Sequence, residues 1–170
     1  MWVGIDLAGQ PHRPSAIALG SSWDTLTLAT VYEDAEISVY LSQGSAVWID
    51  APLTGKGTPF RACDRALHRL GISPLPLTWG SMRLLHARAV RLREAFPAVP
   101  FYETFPWALY VWLARKAGIA RSPKSPGLLA RWAAQQGLYA LPATTHEWDA
   151  LACWAIGWLA QQKQVLHLSG

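Results

Sequence analysis

Acidic residues are scarce in this 170-residue chain, eleven in all, and three of them stand where an apolar run stops. Asp6 follows Trp2-Val3-Gly4-Ile5, Asp50 follows Ala46-Val47-Trp48-Ile49, and Glu103 lies in a shorter run that starts at Val99. A carboxylate at the end of a buried strand is costly unless it has a partner or a cation. Two such ends on adjacent parallel strands bring their carboxylates close together, and like charges that near each other demand a shared proton or a metal ion. The carboxyl ends of strands form the usual ligand crevice of an open α/β sheet. Each acid also has a local role open to it. Asp6 and Asp50 can stabilise the turns that follow them, and Glu103 can pair with an arginine.

A fourth acid, Asp149, follows Thr144-Thr145-His146-Glu147-Trp148. Thr144 and Glu147 have capping-box spacing, which marks a helix start and gives Glu147 a structural task. Asp149 in the first turns suits the helix dipole. Ala150, Leu151, Ala152, Cys153 and Trp154 follow at once, so this helix is apolar nearly all round. The small Ala150 and Ala152 let it lie close to a sheet, with Asp149 facing the strand ends.

The elements that must carry these residues can be read from periodicity. Met1–Ile5, Ser15–Leu19 and Thr25–Val31 read as strands of an antiparallel meander, joined at Gly20–Asp24 by a hairpin-like loop. A short helix is expected over Glu33–Gln43, then a fourth strand at Ala46–Ile49. Helices are expected at Phe60–Leu70 and Ser81–Phe96. In the second, Met82, Leu85, Ala89, Leu92 and Phe96 form one apolar stripe flanked by Arg83, Arg88, Arg91 and Arg93. A fifth strand at Val99–Phe105 precedes helices at Trp107–Ala117, opened by Pro106, at Pro126–Gln136 and at His146–Gln162. Strands followed by strand–helix alternation imply a mixed sheet with helices packed on it. The expectation is one α/β domain over 1–170 with a basic, mostly helical insertion at about 54–97.

Net charge is +4, but it is unevenly spread. Residues 1–55 hold one base and six acids, residues 56–131 thirteen bases and three acids, and residues 132–170 one base and two acids. A basic middle points to an anionic partner, with nucleic acid the usual one; a solvated face of amphipathic helices gives the same pattern. Of the ten tryptophans, Trp79 and Trp107 are the ones that could stack on bases, though a core role is favoured for each. Cys63 and Cys153 lack zinc-site spacing and read as reduced, buried thiols of a cytoplasmic protein. The five histidines have no metal-ligand spacing; His146 alone begins the helix of Asp149, where a proton-shuttle role competes with an ordinary helix-terminal one. No signal peptide and no membrane span is expected.

These motifs together resemble a known fold. A first-strand aspartate before a β-meander, an acid ending strand four and a late-helix aspartate are similar to the RNase H-like nuclease fold. The stretch His146-Glu147-Trp148-Asp149-Ala150-Leu151-Ala152 resembles the final helix of RuvC-type resolvases. More closely, the chain resembles the predicted-nuclease family called domain of unknown function 429. Its motifs here are Gly4-Ile5-Asp6-Leu7-Ala8-Gly9, Ile49-Asp50-Ala51-Pro52-Leu53, Arg61-Ala62-Cys63-Asp64, Tyr102-Glu103-Thr104-Phe105-Pro106 and Asp149-Ala150-Leu151. The chain departs from RNase H enzymes proper in lacking a clear site-facing acid on the first helix, where Glu36 is the nearest candidate. Its long basic insertion is also foreign to minimal RNase H domains.

The resemblance implies a nuclease in which Asp6, Asp50 and Asp149 bind two Mg²⁺ or Mn²⁺ ions, with Glu103 as a fourth ligand or supporting base. Hard divalent cations favour carboxylate oxygens, and a pair of them about 3.5–4 Å apart clamps a scissile phosphate. Lys124, in the loop Arg121-Ser122-Pro123-Lys124, would touch phosphate near the site. Arg83, Arg88 and Arg91 would position a nucleic-acid backbone without reading sequence. Arg61 is a further substrate-binding candidate, but its spacing from Asp64 favours an i, i+3 ion pair. Alternatives are a non-catalytic nucleic-acid- or protein-binding module on the same fold, and a small-molecule phosphoesterase. An actin-like phosphotransferase is disfavoured, since such proteins use two such domains. A homodimer is compatible with the resolvase likeness.

Overall fold

The structure, a computed structural model, describes residues 1–55, 57–119 and 124–168. Lys56 and the expected loop residues Arg121, Ser122 and Pro123 lie outside the described residues. Five strands form one mixed sheet: β1 (Trp2–Asp6), β2 (Ser15–Gly20), β3 (Thr27–Val31), β4 (Ala46–Asp50) and β5 (Phe101–Glu103), in the order β3-β2-β1-β4-β5. β1, β2 and β3 are the expected antiparallel meander. β4 pairs parallel with β1, and β5 parallel with β4. Six α-helices complete the chain: α1 (Asp34–Leu41), α2 (Ala62–Arg69), α3 (Gly80–Ala95), α4 (Pro106–Lys116), α5 (Pro126–Gln135) and α6 (Thr145–Gln161).

Strand alternation sorts side chains by size between the two faces of the sheet. One face presents Val3, Ile5, Ile17, Leu19, Val47 and Ile49, which pack with Ile37 and Leu41 of α1 and Ala89 and Leu92 of α3. The other presents Ala16 and Ala18 beside Gly4, and α6 lies across β1, β2 and β4 there, with α4 and α5 outside it. Small residues are required where α6 crosses β1 and β4, although Trp2 and Trp48 share this face. A Cβ on Gly4 would meet the Ala150 carbonyl oxygen and the Trp154 amide nitrogen at 2.4 Å, and one on Gly157 would meet the Trp48 ring at 2.3 Å. The α6 backbone therefore rests directly on β1.

The tryptophans fill what the small residues leave. Trp23 and Trp154 are buried, their rings 4.9 Å apart and nearly perpendicular, and Trp132 and Trp158 close on Trp23 at 5.2 and 5.6 Å. Such edge-to-face pairs add to the burial of the rings themselves. The expected core role does not hold for Trp79 and Trp107, which are 53% and 37% exposed. Cys153 is buried, its thiol bonded to the Ile5 carbonyl at 3.3 Å; Cys63 is only half-buried, and neither forms a disulfide. Among the described residues, no helix is long and apolar enough to cross a membrane.

α2 and α3 lie between β4 and β5, as expected of the basic segment. Much of its positive charge works inward. Arg88 is 1% exposed and donates to Asp34 Oδ1, the Ala8 carbonyl and the Tyr32 carbonyl at 2.7, 2.8 and 2.6 Å. It thus ties the turn after β1 to the start of α1. His86 Nδ1 meets the Pro52 carbonyl at 2.9 Å and Arg93 the Leu53 carbonyl at 3.2 Å, so α3 also braces the turn after β4. Both loops that leave the strand-end acids are held by one helix.

Candidate active site

The register places the first two acids. Asp6 of β1 is the direct neighbour of Asp50 of β4, one step beyond the Ile5–Ile49 pair. Neighbouring strands lie roughly 4.8 Å apart, and parallel partners point to the same face. Both carboxylates share the face of Gly4 and Trp48, which is the face that α6 covers.

α6 supplies the third. Thr144 caps it, its hydroxyl accepting from the Glu147 amide at 3.1 Å. Glu147 reaches back to the Ala143 amide at 2.7 Å and accepts from the Thr30 hydroxyl at 3.0 Å, which anchors the helix start to β3. Gly4 sets the height of the helix above the sheet and Ala150 touches it. Asp149, one residue earlier, then stands over the carboxyl edge of β1 and β4, close enough for its charge to act on both other acids.

Asp50 has no hydrogen bond or ion pair among the described residues. Burial pushes its carboxyl well above the usual carboxylate range, and the charges of Asp6 and Asp149 push it further. Asp6 is raised too, first by burial; a hydrogen bond from His146 Nδ1 to its Oδ2, at 2.8 Å, counters part of this, while Asp149 adds to it. Asp149 accepts from the Tyr110 hydroxyl at 3.2 Å on Oδ1 and from the Lys124 ammonium on Oδ2. Burial, then the Asp149 charge, holds the Tyr110 phenol far above the ordinary tyrosine value, so it stays a donor. Three carboxylates thus converge on two protein cations, of which His146 is a cation only when protonated.

The donor set fits a hard divalent cation: oxygen ligands only, with the desolvated Asp50, which has no partner among the described residues, at the centre. Among the described residues no three His, Cys, Asp or Glu side chains are arranged around a common ion position. Asp6 is bonded to His146, and Asp149 to Lys124 and Tyr110.

The fourth expected acid is not brought to this cluster. Glu103 is in register with Ile49, whose side chain lies in the opposite core, while Tyr102 stacks on Trp48 on the α6 face at 4.4 Å. Parity therefore turns Glu103 away from Asp6 and Asp50. It receives both terminal nitrogens of Arg61, at 2.7 and 2.6 Å, and the Leu53 amide at 3.0 Å. Arg61 also binds Asp64 through Nε and Nη2 at 2.9 and 2.8 Å, and is 8% exposed. Burial alone would lower the Arg61 pKa, but these bonds hold it above the ordinary arginine value; the same contacts keep Asp64 below the usual carboxylate range despite its burial. Arg61 is thus the centre of an ion network, and Arg88 is enclosed by its three acceptors. Arg83 and Arg91 are exposed on α3. Glu36 is a local cap, accepting from the Tyr32 and Glu33 amides at 2.8 and 2.9 Å.

One participant, Tyr110, went unassigned in the sequence. His146, singled out there, precedes Asp149 by three residues, the spacing that puts two side chains on one helix face. Tyr110 carried no signal, because only the packing of α4 on α6 brings it to Asp149. A cavity of about 890 Å³ opens from Asp6 and Asp50 along the sheet edge, lined mostly by apolar side chains such as Leu67, Leu77, Met82 and Trp112.

A five-stranded mixed sheet with helices on both faces and a late helix over its carboxyl edge is an RNase H-like α/β fold. Among solved structures the chain is similar to T. thermophilus RuvC in complex with a Holliday junction substrate. The two are 17% identical, the match covers 99% of this chain and 98% of that one, and the TM-score is 0.54. At that identity the likeness shows the fold. No family model matches the sequence, and no curated protein matches it.

Proposed function

We propose that the chain is a divalent-metal-dependent nuclease of the RNase H-like class, in the predicted-nuclease family called domain of unknown function 429, that hydrolyses phosphodiester bonds in nucleic acid. The observation that carries this reading is the in-register pair Asp6–Asp50 beneath Asp149, an under-neutralised carboxylate cluster at the open edge of the sheet. Asp6, Asp50 and Asp149 would hold Mg²⁺ or Mn²⁺, which supplies charge neutralisation at the phosphate and acidifies bound water. The protein does the rest by position. Gly4 and Gly157 fix the height of α6, Tyr110 orients Asp149, and Arg88 with Arg93 stiffens the loops behind Asp6 and Asp50. His146 is engaged at Nδ1 by Asp6, which leaves Nε2 to exchange a proton with the solvent side. The exposed Arg83 and Arg91 would meet the backbone of the substrate. Likeness to a structure containing a Holliday junction makes branched DNA the first substrate to try.

Mn²⁺ titration by calorimetry into the wild type, Asp6→Asn, Asp50→Asn and Asp149→Asn tests the site, and cleavage of branched DNA and RNA–DNA hybrid tests the activity. The expected result is binding by the wild type alone, with cleavage lost in every variant while the melting temperature holds or rises. Wild-type protein that binds no Mn²⁺, even with nucleic acid present, would overturn the reading. The apolar cavity beside the carboxylates favours one second reading, a small-molecule phosphoesterase whose substrate carries an apolar group. Turnover of aryl phosphodiesters without cleavage of any nucleic acid would select it.

A further inference from the structure

We propose that the Lys124 ammonium is the resident counter-ion of the carboxylate cluster, and that a divalent cation enters by displacing it. This rests on the reading of Asp6, Asp50 and Asp149 as a cation site. Lys124 occupies Oδ2 of Asp149, while Tyr110 occupies Oδ1. The other groups facing the cluster are His146, on Asp6, and the Glu103–Arg61 pair, which lines the same cavity as Asp6 and Asp50 and is closed on itself. Lys124 is therefore the only permanently charged cation among the described residues that contacts the cluster, and its field lowers the pKa of both Asp6 and Asp50.

A cation bound by these carboxylates would stand beside the ammonium, and two positive charges at one oxygen repel. Lys124 can leave at low cost. Its side chain is one-third exposed against 15% for Asp149, and its ammonium lies 5.8 Å from the centre of the Tyr110 ring, a partial alternative seat. A flexible four-carbon stem allows the head to move into water while its methylenes stay packed. Tyr110 keeps its hold on Asp149 throughout, so the carboxylate does not swing away when the lysine goes. The cluster would then trade one ion for another without exposing three bare charges at any stage.

Mn²⁺ affinity by calorimetry, and melting temperature in EDTA, are measured for the wild type, Lys124→Met and Lys124→Arg. Lys124→Met should bind Mn²⁺ at least tenfold more tightly and melt lower in EDTA, whereas Lys124→Arg should stay near the wild type on both. Amine-selective acylation of the wild type, read by mass spectrometry, gives a second measure that needs no variant: Lys124 should be protected in EDTA and labelled faster with Mg²⁺. Equal or weaker Mn²⁺ binding by Lys124→Met, or labelling unchanged by Mg²⁺, would overturn the displacement while leaving the metal site standing. Absence of Mn²⁺ binding in all three proteins would overturn both.

Discussion

Two charge clusters flank the same sheet edge and are built on opposite principles. Beside β5, Arg61 sits between Asp64 and Glu103 with every contact between 2.6 and 2.9 Å and every carboxylate answered. On the α6 face, Asp6, Asp50 and Asp149 share Lys124 and a solvent-exposed His146, and Asp50 has no partner among the described residues. The first cluster closes on itself and holds the β4–α2 loop to β5. The second is left electrostatically short, which no fold needs for stability. Perturbed, under-compensated acids in a crevice are what the proposed site requires and what a structural brace does not. In the sequence the Arg61–Asp64 spacing marks an ion pair, but nothing local shows that Glu103 joins that pair rather than Asp6 and Asp50.

The comparison breaks most visibly if one residue is removed from each. Arg61→Ala strands the buried Asp64 carboxylate and frees the partly exposed Glu103, and losing one member of a buried ion pair costs about 3–5 kcal/mol. Asp50→Asn removes a charge that its surroundings disfavour, so stability should hold or rise. Urea denaturation of the two variants beside the wild type checks the opposite signs. A destabilised Asp50→Asn would mean that the α6 cluster is also structural.

Gly4→Ala strikes the spacing on which only the α6 cluster depends. The added methyl would meet backbone atoms at 2.4 Å, so α6 must lift. Overpacking of this kind costs about 1–3 kcal/mol, and the clash with backbone rather than side chain places it at the upper end. Mn²⁺ binding should weaken as Asp149 retracts, while the Arg61 network is untouched. A variant that loses stability yet keeps full Mn²⁺ affinity would separate the metal site from Asp149.

Acid titration sharpens the contrast from the other side. Asp64 is held below its unfolded value, so its contribution is fully present above about pH 4 and is lost as pH falls through the lower folded value. The wild type should therefore lose stability steeply below that point, and Asp64→Asn should start less stable, by about 1–3 kcal/mol, with a shallower acid limb. Melting curves between neutral pH and pH 2.5 measure it. Parallel acid limbs would remove Asp64 from the ion network.

What could be read in advance follows from what each feature depends on. The meander and the fold depend on strand alternation and turn residues, and Asp6, Asp50 and Asp149 depend on apolar runs that stop abruptly. All are local properties of the sequence. Glu103 also ends a strand, but its role turned on parity, because β5 joins the sheet with Glu103 beside Ile49 rather than beside Asp50. Register between distant strands leaves no local trace. Arg88 was legible in principle: it falls between Leu85 and Leu92 on the apolar stripe, where an arginine must be buried with partners. Its neighbours Arg83 and Arg91 lie off that stripe and are exposed. Net charge treats all three alike, although Arg61 and Arg88 of the basic segment are enclosed while Arg65, Arg69, Arg83 and Arg91 are exposed.

The smallest expected effect tests the finest difference between the clusters. Asp64 and Glu103 are oriented by a permanent charge, but Asp149 is oriented on one oxygen by a neutral hydroxyl, that of the 1%-exposed Tyr110. Tyr110→Phe removes that donor and leaves the ring in place beneath Lys124. Stability should change by about 1 kcal/mol, near the limit of a denaturation experiment. The functional effect should be clearer, since an Asp149 freed on Oδ1 is held by Lys124 alone and turns more often from the productive position. Mn²⁺ affinity should fall severalfold in Tyr110→Phe and recover when Lys124→Met is added, because removing the competing ammonium restores access to Oδ2. Additive losses in the double variant would mean that Lys124 and Tyr110 both serve to aim Asp149, and that the cluster is pre-set for its cation rather than waiting to exchange one.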